Sequence, residues 1–175
     1  MTITLNGTTG ITTPDITSAA GLDAADLTGT IASARLPAGS VIQVVYGSAG
    51  TQVESAYSSA TDLGLSVSIT PSSASSKILV IVQCAGCGSR GTGTSWRITL
   101  RRNSTNLINF ATYIGSQTIA GVETYPNTVY LDSPSTTSAI SYNLSGFRTA
   151  GADNCYFNHS DGTAVSTMVA MEIAA

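Results

Sequence analysis

The sequence predicts an all-β protein, an antiparallel two-sheet sandwich of jelly-roll type preceded by an extended, mostly irregular amino-terminal arm. Composition is the first reason. Of 175 residues, 49 are Ser or Thr and 17 are Gly, whereas Lys and Arg together number 7 and Glu only three. β-branched Thr suits a pleated surface and Ser and Gly suit turns, so strands are favoured over helices. The second reason is period-two alternation of apolar and polar residues from Val41 onward. The third is the recurrence of turn residues every 8 to 15 positions along that stretch.

Taken in order, the predicted strands open with Val41 to Tyr46 and Thr51 to Tyr57. Leu65 to Thr70 follows, with Leu65, Val67 and Ile69 on one face and Ser66 and Ser68 on the other, closed by Pro71-Ser72-Ser73. Lys77 to Cys84 is apolar on both sides, which predicts a central strand covered on both faces. Trp96, Ile98 and Leu100 alternate with Arg97, Thr99 and Arg101, and Arg102-Asn103-Ser104-Thr105 reads as the turn into Asn106 to Thr112. Thr128 to Asp132, Ala139 to Phe147, Asn154 to Asn158 and Ala164 to Ile173 complete the set. The last carries Val165, Thr167, Val169, Met171 and Ile173 on one face. An immunoglobulin-like sandwich is disfavoured, because paired cysteines around a buried Trp are missing from the pattern.

Residues 1–40 read differently from residues 41–175. They hold no aromatic residue, and Ile3, Leu5, Ile11, Ile16, Leu22, Leu27, Ile31 and Leu36 are spaced too irregularly for one helix face or one strand face. So little bulk does not offset the ordering entropy of 40 residues in isolation. Several copies wound around a common axis would bury these side chains. A short helix over Leu22 to Leu27, a flexible tail, and an extended strand along a partner are the competing readings.

With 10% of residues charged and a net charge of −3, no basic surface is available to neutralise phosphates, so nucleic acid is an unsuitable partner. The longest aliphatic run, Ile78 to Val82, is far short of the ~20 residues that span a bilayer. The start of the chain lacks the basic and apolar regions of a secretory signal. Apolar residues make up 42% of the chain, which implies surface buried against other subunits. Asn-X-Ser/Thr triplets at Asn6, Asn103, Asn143 and Asn158 carry no weight in a chain so rich in Ser and Thr.

Candidate chemistry is sparse. Cys84, Cys87, Cys155 and His159 have the number and types of a structural zinc site, but only Cys84 and Cys87 are close in sequence. The preferred reading is buried thiols and a loop histidine, with no metal and no cofactor. Gly86, Gly88, Gly91 and Gly93 lack the Lys-Thr/Ser ending of a phosphate loop and read as a flexible connection. One His and scattered carboxylates do not assemble an acid and base pair, so no enzyme is expected. Tyr113 and Tyr125 flank the least regular stretch of the sandwich, which makes Tyr113, Gln117, Glu123 and Tyr125 the expected ligand contacts.

Leu27-Thr28-Gly29-Thr30-Ile31-Ala32-Ser33-Ala34-Arg35-Leu36-Pro37 resembles the shaft segments of tailed-bacteriophage fibre proteins, and Ile3 to Pro14 is similar to the start of many phage structural proteins. Ile69 to Val80 and Leu131 to Pro134 resemble segments of the β-rich terminal domains attached to such fibres. The resemblance implies a virion component assembled in the host cytoplasm as a homotrimer. Its arm would dock to other virion proteins or form a short stalk, and its sandwich would face a host-surface glycan or protein. A capsid or baseplate decoration protein is the alternative.

Overall fold

Alternation of apolar and polar residues becomes twelve strands among the described residues, which are 36–114, 123–159 and 163–175 of this computed structural model and belong to a unit spanning Ser33–Ala175. In chain order they are β1 (Val41–Ala49), β2 (Val53–Ser55), β3 (Thr61–Ile69), β4 (Lys77–Gln83), β5 (Cys87–Ser89) and β6 (Ser95–Arg102). Then follow β7 (Thr105–Ile114), β8 (Glu123–Thr124), β9 (Asn127–Asp132), β10 (Ile140–Ala150), β11 (Cys155–Phe157) and β12 (Ser166–Ile173). Of the predicted arm positions, Ile3, Leu5, Ile11, Ile16, Leu22, Leu27 and Ile31 lie outside the described residues, and Leu36 is partly buried.

All pairings are antiparallel, and the sheet orders are β1-β12-β4-β9, β3-β10-β6-β7 and β2-β11-β5-β8. Each strand of the third sheet is the chain neighbour of the corresponding strand of the first. The third sheet therefore prolongs the first beyond a break. Counting β1/β2, β4/β5, β8/β9 and β11/β12 as single interrupted strands leaves eight, of which first pairs with eighth, second with seventh, third with sixth and fourth with fifth. This is one long antiparallel hairpin rolled into two sheets, the jelly roll.

The tip of that hairpin is the β6–β7 turn. Asn103 takes a positive φ of 52° in the two-residue loop, and its Oδ1 accepts from Ser141 N at 2.9 Å, tying the turn to β10. Between the sheets, Leu63, Leu65, Val67 and Ile69 of β3 and Ile78, Val80 and Val82 of β4 meet Ile98 and Leu100 of β6 in one core. Trp96 of β6 is fully buried and stacks on Tyr57, centroids 5.1 Å apart. Gly146 on the neighbouring strand makes the room, since a Cβ there would stand 3.0 Å from the Trp96 ring and 3.1 Å from Leu63.

Several expectations need correction. The strand at Thr51 to Tyr57 shrinks to β2, because Tyr57 adopts a φ of 42° and turns its ring inward with its hydroxyl donating to Val53 O at 2.9 Å. β4 is an interior strand, but only its inner face is closed; Leu79 and Ile81 remain partly exposed outside. The glycine-rich stretch is not simply a loop, because Cys87-Gly88-Ser89 forms β5 between β11 and β8, wholly buried.

Two buried carboxylates fix the frame. Asp132 ends β9, where both its oxygens accept from Arg102 of β6 (2.9 and 2.7 Å) and Oδ2 also accepts from the Tyr142 hydroxyl of β10 at 2.6 Å. It joins the first sheet to the second. Burial and the Asp132 hydrogen bond push the Tyr142 phenol well above its usual range. Glu172 of β12 is likewise buried, accepting from Ser72 N and Oγ (both 2.7 Å) and from Gln43 of β1. Burial alone would raise its pKa, but these donors outweigh it and hold the carboxyl below its ordinary value.

Asp132→Ala leaves Arg102 and Tyr142 without their acceptor and lowers unfolding free energy by about 3 kcal/mol in urea titrations, whereas Tyr142→Phe costs only about 1 kcal/mol. Because the folded pKa of Glu172 is depressed, its contribution is complete above the unfolded value of 4.5 and disappears as pH falls through the folded one. Urea titrations at pH 7 and pH 3 then show Glu172→Gln less stable at pH 7 by about 2 kcal/mol, with a smaller further loss on acidification than the parent chain.

Candidate functional site

The end of the sandwich built by β2, β11, β5 and β8 carries the densest cluster of polar and aromatic side chains among the described residues. Its placement begins with the backbone just after β11. Asn158 adopts a φ of 56°, a conformation Asn tolerates, and its side-chain amide donates to Ala49 O (2.9 Å) and Thr51 O (3.2 Å). Its N–H donates to Ala85 O at 3.1 Å, and the next N–H, of His159, donates to Gly86 O at 2.9 Å. Gly86 is required here. Its φ is 55°, and a Cβ would stand 2.0 Å from His159 O.

So anchored, the His159 ring lies against Tyr156, centroids 4.5 Å apart, with Nδ1 bonded to Glu123 Oε1 and Nε2 3.3 Å from Arg90 Nη1. A guanidinium only donates, so Nε2 accepts and the ring proton sits on Nδ1, donated to Glu123. Arg90 in turn pairs with Glu54 at 2.7 Å and covers the Tyr156 ring at 4.9 Å. Hydrogen bonding to Arg90 holds the Glu54 carboxyl below its ordinary value, and burial raises the Tyr156 phenol. Glu123 also receives the Tyr125 hydroxyl at 3.4 Å. The result is a chain from Glu54 through Arg90 and His159 to Glu123 and Tyr125, with Tyr156 beneath it.

Beside the chain is an open hollow of about 720 Å³, lined by Gln83, Glu123, Tyr125 and His159 together with Ala85 and Val165. Tyr125 is 64% exposed. Such a surface offers an aromatic face for stacking and an amide and a carboxylate for hydroxyl groups. A smaller hollow of about 380 Å³ at the other end of the first sheet, lined by Leu36, Ile42, Ser72, Ser73 and Ala174, offers only hydroxyls and apolar groups.

Of the expected ligand contacts, Glu123 and Tyr125 line this hollow, Tyr113 is exposed near the end of β7 and is not among the lining residues, and Gln117 lies outside the described residues. The zinc set is not assembled. Cys84, Cys87 and Cys155 are free and buried, and no three metal-ligating side chains gather among the described residues. The physical reason is that His159 spends its ring nitrogens on Glu123 and Arg90. Hydrogen bonding with Cys84 and burial push the Cys87 thiol up, and burial pushes Cys155 to about 11, which keeps both as thiols. Arg90, Glu54 and Gln83 carry no site signal in the sequence and Tyr156 reads there as a structural tyrosine, whereas Glu123 and Tyr125 stand out beside an irregular stretch and His159 as the single histidine.

No protein-family model and no curated protein matches the sequence. Among solved structures, the chain is similar to that of the infectious bursal disease virus Gt strain at 17% identity and a TM-score of 0.48, over 76% of this chain and 38% of that one. It is similar to the infectious bursal disease virus VP2 subviral particle at 14% identity and a TM-score of 0.47, over 77% and 34%. Dimeric latent PorU from Porphyromonas gingivalis aligns at 13% identity and a TM-score of 0.39, over 79% and 14%. The chain thus spans well under half the length of each.

Gly86→Ala forces either the left-handed backbone or His159 to move. The expected outcome is a fall of about 2 kcal/mol in unfolding free energy, with a changed His159 ring signal in NMR spectra.

Proposed function

We propose that this chain is a non-enzymatic structural protein of a virion, a homotrimeric short tail fibre of a tailed bacteriophage that takes part in attachment to the host surface. The observation that carries the reading is the hollow beside β8, where Tyr125, Glu123, His159 and Gln83 come together at one end of a jelly roll. Stacking on a tyrosine combined with hydrogen bonds to hydroxyls is the chemistry that holds a sugar. Each such contact is weak, and three copies on one fibre multiply it. The resemblance of residues 27–37 to fibre shafts supports the setting. Among the described residues, Glu54 is committed to Arg90 and Glu123 to His159, which argues against their serving as the free pair that glycan cleavage needs.

A second reading, a capsid or baseplate decoration protein, is favoured by the exposed apolar Val129 and Leu131 on the outside of the first sheet. The two readings separate in an adsorption assay. Particles carrying Tyr125→Ala with Gln83→Ala are expected to keep the protein but adsorb to host cells at least about tenfold less. Unchanged adsorption, joined to loss of particle heat resistance when the protein is removed, overturns the attachment reading in favour of decoration.

A further inference from the structure

The two sheets of the sandwich differ on their outer faces. Across the second sheet, Ser66, Asn143, Arg101 and Asn106 stand side by side on β3, β10, β6 and β7, the polar exterior expected of a sheet in water. Across the first sheet, the same construction places Tyr46, Val169, Ile81 and Val129 in one row. The next row is Val44, Met171, Leu79 and Leu131. Neither row contains a charge. Their edge members are open to solvent, with Tyr46 and Val129 both 64% exposed.

We infer that this face is where copies of the chain pack against one another, an inference that rests on the homo-oligomeric part of the reading above. Four strands about 4.8 Å apart and two rows about 6.8 Å apart give an apolar footprint of roughly 260 Å², approaching the ~300 Å² of patches that are often functional. The row above it, Ser48, Thr167, Gln83 and Asn127, is wholly polar and uncharged. An apolar centre bordered by polar residues is the anatomy of a subunit interface, which takes about 800 Å² per partner once its rim is included. A second copy is the occupant that fits, because the two apolar rows and the polar row above them carry no charge to oppose burial against other copies around a common axis, Lys77 entering only in the row below. A net charge of only −3 per chain adds little repulsion between copies.

The test is the solution mass of the intact chain by light scattering, beside Tyr46→Lys with Val129→Lys, and beside Ser66→Lys on the polar face. Both lysines replace exposed side chains, so an unchanged circular dichroism spectrum is expected of the monomer, with a melting profile that no longer depends on protein concentration. The parent chain and Ser66→Lys are expected at three times 17.8 kDa and the double variant at 17.8 kDa. Val129→Lys alone raises the dissociation constant at least tenfold, which keeps the test open if the double variant does not fold. A double variant that stays trimeric overturns the assignment of this face while the homo-oligomeric reading survives. A parent chain of 17.8 kDa at all concentrations overturns both.

Discussion

The closing of two sheets over a single core around Trp96 is the constraint on which the rest depends. Trp96 is the largest side chain in that core, and it fits only because Gly146 opposite it lacks a Cβ and because Tyr57 folds inward to stack on it. Tyr57 O accepts from Arg148 N at 2.9 Å, so the same residue that covers Trp96 also ties the segment after β2 to the end of β10. From there the chain enters β3 and the second sheet. Asp132 performs the corresponding task at the far end of β9, where a buried carboxylate holds donors from two strands of the facing sheet. Between these points the core is aliphatic and the sheet spacing follows from its side chains.

Much of this was legible. The alternation in Trp96 to Leu100 and the turn at Asn103 and Ser104 give β6 and β7 directly, because a two-residue turn with a residue that tolerates positive φ is a local signal. The short strands β5 and β8 were not legible, since three residues such as Cys87-Gly88-Ser89 are strands only by virtue of neighbours far away in sequence. Nor does alternation say which face turns inward. In β12 the more apolar set, Val169, Met171 and Ile173, lies outside, while Ser166, Met168, Ala170 and Glu172 face in. Glu172 tolerates burial because Ser72 and Gln43 satisfy it, and that cannot be read from residues near it in the chain.

The polar cluster shows the same division. Glu123 and Tyr125 could be picked out as tyrosine-flanked positions in an irregular stretch. His159 stood out as the single histidine, but its meeting with Arg90 and Glu54 could not be read, because the three come from separate segments and meet only when β2, β11 and β5 pair. The sandwich thus presents a tyrosine and polar hollow at one end and an apolar sheet on one side. These suit two tasks, contact with a ligand and contact with another subunit. The two surfaces adjoin at Gln83, which lines the hollow and also stands in the polar row bordering the apolar rows of β1, β12, β4 and β9.

Hydroxyl-radical footprinting of the intact chain under native conditions tests this two-sided account most directly, because it reads exposure residue by residue in the assembled protein. Tyr46 and Met171 should be protected, while Tyr113 and Tyr125 are oxidised at rates near those of free tyrosine. If Tyr46 reacts as fast as Tyr113, the apolar sheet is open to water and the claim that it is buried between subunits is wrong.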